Sequence, residues 1–276
     1  MRSMPLFLAA GALCALTSGA QAAYQVGDVV DDFTLVDTEG ISHSLYDYKG
    51  KIIVLNFGEY WCGPCNSEWA AMMDGLWNPN KDQGVMILTI GADNQAQFES
   101  KAAQYSGGLT AGGWPWLFDT ADQLYWDYGN GYIPYNAVLD QDFRLVWGEA
   151  GYGGNFNGIQ GQIDANLADV VIHQIQPRFL TTSGGQTVTL GVTLTNRTAA
   201  TQTLDAVLDV ILPGHNEYAG NPLQTMTLTL PPHATASGDV VVTVPGNAIA
   251  GDYRARVGLI EGGNYNCSDL NYVTVE

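Results

Sequence analysis

Two cysteines separated by two residues, Cys62 and Cys65, are the side chains of this sequence best suited to do chemistry. A thiolate at the first position can attack a disulfide, and a thiol one helical turn further on can resolve the mixed disulfide that forms. Gly63 and Pro64 between them fit the first turn of a helix, where the missing N–H of proline is not needed. Because a helix N-terminus favours a thiolate, we predict Cys62 as the nucleophile and Cys65 as the resolving thiol.

The segments around this pair predict an α/β fold. Residues Lys51–Phe57 form an apolar, β-branched run that is typical of a buried strand, and apolar residues recur at helical spacing after Cys65. A second apolar run covers Val85–Gly91, and the order strand, helix, strand predicts a parallel pair with a crossover helix. The pattern further predicts a helix over Gln95–Tyr105 and two strands over Ala137–Leu139 and Arg144–Trp147. A closing helix is predicted over Ile159–Val171.

Several segments of residues 25–170 are similar to a known family. They are Gly27–Leu35, Asn56-Phe57, Trp61-Cys62-Gly63-Pro64-Cys65, and Glu68 three residues beyond. These residues resemble the redoxin branch of the thioredoxin superfamily, in particular its exported thiol-disulfide oxidoreductases, and the first segment is also similar to peroxiredoxins of the AhpC/TSA type. The resemblance implies a thioredoxin-like fold, in which a mixed sheet is flanked by helices, and dithiol–disulfide exchange as the activity. It also implies that Glu68 lies by the cysteines and influences their pKa.

The same resemblance implies a substrate-binding loop. Family members carry a cis-proline facing the cysteines, and Ile133-Pro134 before the strand at Ala137 matches that position. An X-Pro bond is the only peptide bond for which the cis form carries a small penalty, and the backbone before it stays open to pair with a substrate chain. We therefore expect Ile133, Pro134 and Trp61 to contact substrate, with Trp61 packed beside the disulfide. Glu59 departs from the family pattern and adds a second carboxylate near the cysteines.

After Pro177 the sequence changes to short runs of alternating polar and apolar residues separated by Gly, Pro and Asn. Such runs predict strands over Gln186–Thr195, Leu204–Leu212, Gln224–Leu230, Asp239–Val244, Asp252–Leu259 and Asn271–Val275. This number of strands in about 100 residues predicts an antiparallel β-sandwich, and Gly185–Leu190 and Ala250–Tyr253 resemble bacterial immunoglobulin-like modules. We thus predict a signal peptide over residues 1–22, a thioredoxin-like redox domain over 23–172 and an immunoglobulin-like domain over 173–276.

The N-terminal residues have the three parts of a secretory signal peptide: Arg2, the apolar run Leu6–Leu16, and Ala20-Gln21-Ala22 before the cleavage site. The apolar run is shorter than the about 20 residues that a spanning helix needs. We therefore predict an exported protein, periplasmic or extracellular, without a membrane span. Of the three cysteines that remain after cleavage, Cys267 has no close partner in sequence, and we predict that it is a buried thiol.

The chain is strongly acidic, with 28 Asp and Glu, 10 Lys and Arg, and a formal net charge of −18. Residues 23–172 hold 20 acidic and 5 basic residues, whereas residues 173–276 hold 8 and 4. Phosphate backbones and anionic membranes would repel such a chain, which excludes nucleic acid as a partner. One Cys pair supplies two metal ligands where zinc normally has four, and the four histidines show no ligand spacing. The sequence therefore predicts no metal and no cofactor.

These patterns favour a thiol-disulfide oxidoreductase that works as a protein disulfide reductase, because Gly-Pro between the cysteines resembles the reducing thioredoxins. Its partners would be protein thiols and disulfides and an electron donor that the sequence does not identify. A thiol peroxidase of the peroxiredoxin type is the first alternative. It is disfavoured because Glu59 stands where such an enzyme has a threonine. The second alternative is a surface binding or assembly protein in which the β-sandwich is the working part.

Overall fold

The computed structural model describes residues 23–276, and the predicted signal peptide lies outside the described residues. The first part of the described chain holds seven strands and five α-helices. The strands are β1 (Thr34–Asp37), β2 (Ser42–Ser44), β3 (Ile52–Phe57), β4 (Val85–Gly91), β5 (Trp116–Phe118), β6 (Tyr135–Leu139) and β7 (Leu145–Ala150). The helices are α1 (Gly63–Met72), α2 (Asn78–Asn80), α3 (Gln95–Tyr105), α4 (Leu124–Tyr128) and α5 (Asn157–Asn166).

The seven strands of the first part form one mixed sheet in the order β2-β1-β5-β4-β3-β6-β7. Strands β3 and β4 are parallel, as predicted, and β6 pairs with β3 in the antiparallel direction. Every residue of β3 and β4 is buried, which explains why both segments are continuous apolar runs rather than alternating ones. This mixed sheet with helices confirms the predicted thioredoxin-like fold.

The second part of the described chain is built from strands alone: β8 (Val170–Ile172), β9 (Phe179–Thr182), β10 (Thr187–Asn196), β11 (Gln202–Leu212), β12 (Asn216–Glu217), β13 (Gln224–Leu230), β14 (Thr235–Thr243), β15 (Gly251–Glu261) and β16 (Asn264–Val275). They form two sheets, β14-β10-β8 and β12-β11-β15-β16-β9, with β13 paired to β11. Buried apolar side chains from both sheets, such as Leu190 and Val257, make a second core. The predicted β-rich region is therefore confirmed.

Two helices differ from the prediction. The helix that begins at Gly63 widens into a π-helical turn over Met73–Trp77 before it continues as α2. The closing helix α5 ends at Asn166 and not at Val171, because β8 leaves the first part and pairs antiparallel with β10. The chain thus enters the second part before the predicted boundary at residue 172. Within residues 23–276, no helix is long and apolar enough to span a membrane.

The two parts meet across a polar, buried interface near the start of β3. Lys51, which directly precedes β3, forms an ion pair with Asp269 on β16, with 2.6 Å between Nζ and Oδ1 and with both side chains 1% exposed. The side chain of His215 connects the parts a second time. Its Nε2 lies 2.9 Å from Ser42 Oγ, and its Nδ1 lies 2.6 Å from Asp47 Oδ2. Several buried polar contacts therefore fix the second part to the first.

Cys267 lies in this interface as a buried, free thiol. Its Sγ accepts a hydrogen bond from the backbone N–H of Ile172 at 3.3 Å, and burial raises the pKa of the thiol. Gly84 faces it from the first part, and a Cβ on Gly84 would lie only 2.6 Å from that sulfur. Gly84 also has a φ of +76°, so both its conformation and its closeness to Cys267 require glycine.

Candidate active site

Cys62 and Cys65 form a disulfide where the loop after β3 enters α1. Cys62 is the N-cap of this helix, and its Sγ accepts a hydrogen bond from the backbone N–H of Cys65 at 3.2 Å. The free N–H groups and the dipole of a helix N-terminus stabilise negative charge on a sulfur in this position. Cys62 is 5% exposed whereas Cys65 is fully buried, so an incoming substrate meets Cys62 first.

Gly58, the residue after β3, allows the strand and the disulfide to approach each other. A Cβ at this position would lie 2.8 Å from the Trp69 ring and 3.2 Å from Cys65 Sγ. Any larger side chain would therefore push α1 away from the end of β3. No local sequence pattern predicts this requirement, because it depends on how Trp69 packs beneath the glycine.

Glu68, one turn after Cys65 on α1, is buried and accepts hydrogen bonds from two side-chain amides. Its Oε2 accepts a hydrogen bond from Asn56 Nδ2 at 2.9 Å, and its Oε1 accepts one from Asn136 Nδ2 at 2.7 Å. Asn56 also donates to Asn136 Oδ1 at 2.8 Å. We call Asn56 and Asn136 the amide clamp. Burial raises the pKa of Glu68 to about 7, while the hydrogen bonds from the clamp act in the opposite direction.

The amide clamp is itself held by aromatic and hydroxyl groups. Asn56 Oδ1 accepts hydrogen bonds from Trp69 Nε1 at 2.8 Å and from Thr89 Oγ1 at 3.3 Å. Sequence analysis identified Asn56 and Glu68 but missed Asn136. Asn136 could have been found because it is a polar residue inside the otherwise apolar strand β6, where a buried amide needs hydrogen-bond partners.

A cavity of about 450 Å³ borders Glu68 and Asn136. The remaining lining comes from β7, α5 and the loop between them, and includes Glu149, Tyr152 and Asn155. The carboxyl group of Glu68 is therefore buried but not sealed in apolar packing. A group with a pKa near neutrality at the edge of a cavity can exchange its proton with water.

The Ile133–Pro134 peptide bond is cis, as predicted. The carbonyl oxygen of Ile133 lies 3.8 Å from Cys62 Sγ, so the loop before β6 faces the disulfide. Asn136 of the amide clamp follows two residues after Pro134. One short segment therefore contacts both the reactive sulfur and the buried carboxyl group of Glu68.

Trp61 and Glu59 face the turn that follows β4. The side chain of Trp61 is 60% exposed, and its Nε1 donates to Asp93 Oδ2 at 2.8 Å. The two carboxylate oxygens of Glu59 accept hydrogen bonds from the backbone N–H groups of Ala92 and Asp93, at 2.7 and 3.1 Å. Burial raises the pKa of Glu59 to about 7. The second carboxylate expected near the cysteines is thus present and anchored by the backbone.

The AhpC/TSA family matches residues 26–147 of this chain. The thiol-disulfide oxidoreductase ResA of Geobacillus thermodenitrificans is 36% identical over 123 residues, which are 45% of this chain and 68% of that protein. The chain belongs to the ResA family of thiol-disulfide oxidoreductases. The ResA of Bacillus anthracis is also similar, with 32% identity over 123 residues, 44% of this chain and 68% of that protein.

Two solved structures are also similar to this ResA-family chain. The thioredoxin domain of a thiol-disulfide oxidoreductase from Bacteroides vulgatus is 21% identical, covers 51% of this chain and 99% of its own, and gives a TM-score of 0.44. The exposed lipoprotein thioredoxin of Streptococcus pneumoniae is 23% identical and gives a TM-score of 0.42, and the match covers 49% of this chain and 99% of that chain. The AhpC/TSA match ends at residue 147, so strands β8 to β16 lie outside it. The predicted enzyme class, a thiol-disulfide oxidoreductase, is confirmed by the ResA relatives.

Proposed function

We propose that this protein reduces disulfides in exported proteins, with Cys62 as the nucleophile and Cys65 as the resolving thiol. The observation that carries this proposal is the position of Cys62 Sγ. It lies at the N-terminus of α1 and 3.8 Å from the carbonyl oxygen of Ile133, with Cys65 buried behind it. Gly-Pro between the cysteines favours the reducing direction. The signal-peptide pattern of residues 1–22 supports export to the periplasm or the medium.

The reaction is a dithiol–disulfide exchange. The Cys62 thiolate attacks one sulfur of the substrate disulfide, which forms a mixed disulfide and releases the other substrate sulfur as a thiolate. The Cys65 thiolate then attacks Cys62 Sγ, closes the Cys62–Cys65 disulfide and releases the second substrate thiolate. The substrate disulfide gains two electrons and two protons, and the Cys62–Cys65 dithiol loses the same two electrons and two protons. A dithiol electron donor must reduce Cys62–Cys65 again before the next turnover.

We assign supporting roles to the residues around the sulfurs. The backbone of Ile133, held in position by the bond to Pro134, pairs with the extended substrate chain, and the exposed ring of Trp61 contacts that chain. Glu68 holds the proton that leaves the Cys65 thiol, because burial places its pKa at about 7. Residues 23–169 act as the redox domain, and residues 170–276, which begin with β8, form an immunoglobulin-like domain fixed to its far end.

The test is the reduction potential of the Cys62–Cys65 pair in the purified protein, measured by equilibration in thiol buffers, alkylation of free thiols and mass readout. We expect a value near that of thioredoxin, about −270 mV. A value near about −120 mV would identify an oxidant and overturn the reducing direction. The Cys267→Ser variant is the matched control, since it leaves only the active-site pair to titrate. Cys62→Ser should lose exchange altogether, and Cys65→Ser should accumulate the mixed disulfide with substrate.

A further inference from the structure

A second cavity, of about 230 Å³, is lined by neighbours of the reactive Cys62. Its lining includes Trp61, which directly precedes Cys62, and Ile133, whose carbonyl oxygen is 3.8 Å from Cys62 Sγ. A substrate cysteine that bonds to Cys62 therefore brings its neighbouring residues to this opening. We call this space the sulfur-side cavity. Its volume is several times the about 30 Å³ that one water molecule occupies in the liquid, which leaves room for a long side chain.

Four carboxylates line the sulfur-side cavity: Glu59, Asp93, Asp119 and Asp122. No Lys, Arg or His is among the lining residues, and none of the ion pairs within residues 23–276 involves these four. The carboxylates of Glu59 and Asp119 are fixed by hydrogen bonds from backbone N–H groups. The side chains of Glu59 and Asp119 are thus held in place, Asp93 and Asp122 add two more acidic groups, and no cationic side chain of the described residues lines this cavity.

Aromatic rings complete the walls of the sulfur-side cavity. Trp61 and Trp126 are 60% and 57% exposed, and Tyr125 also belongs to the lining. Exposed aromatic side chains grouped around one opening are typical of surfaces that contact a ligand or partner. Indole faces attract cations and also cover the methylene stem of a lysine or arginine. Aromatic walls and unpaired carboxylates together match one kind of group, a long aliphatic chain that ends in a positive charge.

We propose that the sulfur-side cavity binds a lysine or arginine side chain adjacent to the reacting cysteine of the substrate. This inference rests on the proposed exchange at Cys62 and names the class of substrate for it: basic segments next to a cysteine. Asp93 and Asp122 are the specificity-determining carboxylates, since both are exposed at the opening. Charge complementarity of this kind acts mainly on the rate of productive encounter.

The test compares three peptides that carry one cysteine as a mixed disulfide with a small thiol. The peptides differ only in the residue after the cysteine, which is lysine, norleucine or glutamate. The reduced full-length protein is mixed with each peptide at low ionic strength, and the second-order rate constant of exchange is measured. Norleucine keeps the aliphatic stem without the charge, so the comparison separates the contribution of the ammonium group from that of the apolar contact.

The variant Asp93→Asn/Asp122→Asn removes two charges from the opening with little structural change. Asn keeps an acceptor for Trp61 Nε1, and at position 122 it tolerates the φ of +49° that Asp122 adopts. The matched control is Asp142→Asn/Asp164→Asn. Both of these acids are exposed and lie outside the cavity lining, and the control removes the same net charge.

We expect the wild-type protein to reduce the lysine peptide about tenfold faster than the glutamate peptide, with norleucine between them. The cavity variant should lower that ratio to about two, whereas the control variant should keep it near ten. Equal rates for the three peptides, or an equal loss of the ratio in both variants, would overturn the proposed cavity role while exchange itself still stands. No exchange with any peptide would instead overturn the proposed function of Cys62.

Discussion

Two buried carboxylates, one in the active site and one at the interface, differ in the charge of the groups that bind them. Glu68, in the first part, is 1% exposed and is bonded only to the neutral amides of Asn56 and Asn136. Asp269, at the interface, is equally buried but lies 2.6 Å from the ammonium group of Lys51. A cation beside a buried carboxylate keeps it ionised, whereas burial without a cation moves its pKa towards neutrality. An ion pair therefore holds the buried acid at the interface, whereas neutral amides hold the buried acid next to the disulfide.

The same contrast extends into the second part. Asp209 on β11 pairs with Arg256 on β15 at 3.0 Å, so its charge too is matched across neighbouring strands. Burial raises the pKa of Asp209 as well, but Arg256 beside it acts in the opposite direction. Glu59 and Glu68 in the active site, by contrast, form no ion pair within residues 23–276, and burial raises their pKa values to about 7. Perturbed acids without a cation beside them are common where chemistry takes place.

The largest expected effect comes from breaking the interface ion pair. Lys51→Met leaves Asp269 buried without its cation, so we expect the free energy of unfolding to fall by about 3–5 kcal/mol. Urea denaturation of the oxidised protein measures this loss. The double variant Lys51→Met/Asp269→Asn removes both charges and should recover much of it. A loss below about 1 kcal/mol in the single variant would show that water reaches the pair and that the comparison with Glu68 is wrong.

The second prediction concerns the pH dependence of stability at Glu68. Its folded-state pKa of about 7 lies above its ordinary value of 4.5, so the folded protein binds this proton more tightly than the unfolded chain. The contribution of this proton to the free energy of unfolding is fully present below about pH 4.5 and is lost as the pH rises through 7. We expect this group to contribute a loss of about 3 kcal/mol over that range.

Glu68→Gln should remove that component, so its free energy of unfolding should fall less between pH 4.5 and 7.5 than that of the wild type. Denaturant unfolding across this range measures it, and oxidised protein is used so that Cys62 and Cys65 do not titrate. Glu261→Gln, at an exposed position at the end of β15, is the matched control, because it makes the same chemical change outside the active site and leaves the Glu68 component intact. Parallel pH profiles for Glu68→Gln and wild type would contradict the assignment of a near-neutral pKa.

The smallest expected effect is at the edge of the interface. Ser42→Ala removes the contact between Ser42 Oγ and His215 Nε2 but keeps the bond between His215 and Asp47. We expect the free energy of unfolding to fall by about 1 kcal/mol, with no change in the reduction potential of the disulfide. Ser100→Ala on the exposed side of α3 is the control and should cost nothing. A change in potential would mean that the interface and the sulfur are coupled.

The sequence predicted the local elements of the first part closely and the contacts between distant residues hardly at all. The bounds of β4 and α3 agree with the structure to the residue, because hydrophobic periodicity reports on each segment by itself. The bond between Glu68 and Asn136 joins residues 68 positions apart, and no periodicity records it. Lys51 shows the same limit, since its position before β3 was evident but its pairing with Asp269 was not.

Strand β16 shows why the second part was predicted less well. The pattern predicted a strand only from Asn271, whereas β16 begins at Asn264. Residues 267–273 are all buried, so this stretch lacks the alternation that marks a strand with one wet face. One face packs in the core of the second part, and the other lies against the first part, as with Ser268 and the carbonyl of Lys49 at 2.6 Å. Burial by a neighbouring domain is invisible to a local pattern.

Strand β3 separates the two ends of the redox fold. The interface ion pair precedes its first residue, Ile52, and the disulfide follows its last, Phe57, so about 20 Å of extended chain lies between them. Neither cavity that borders the active site is lined by a residue of β8 to β16. Attachment through strands of the second part, to a surface or to another protein, would thus leave both cavities uncovered.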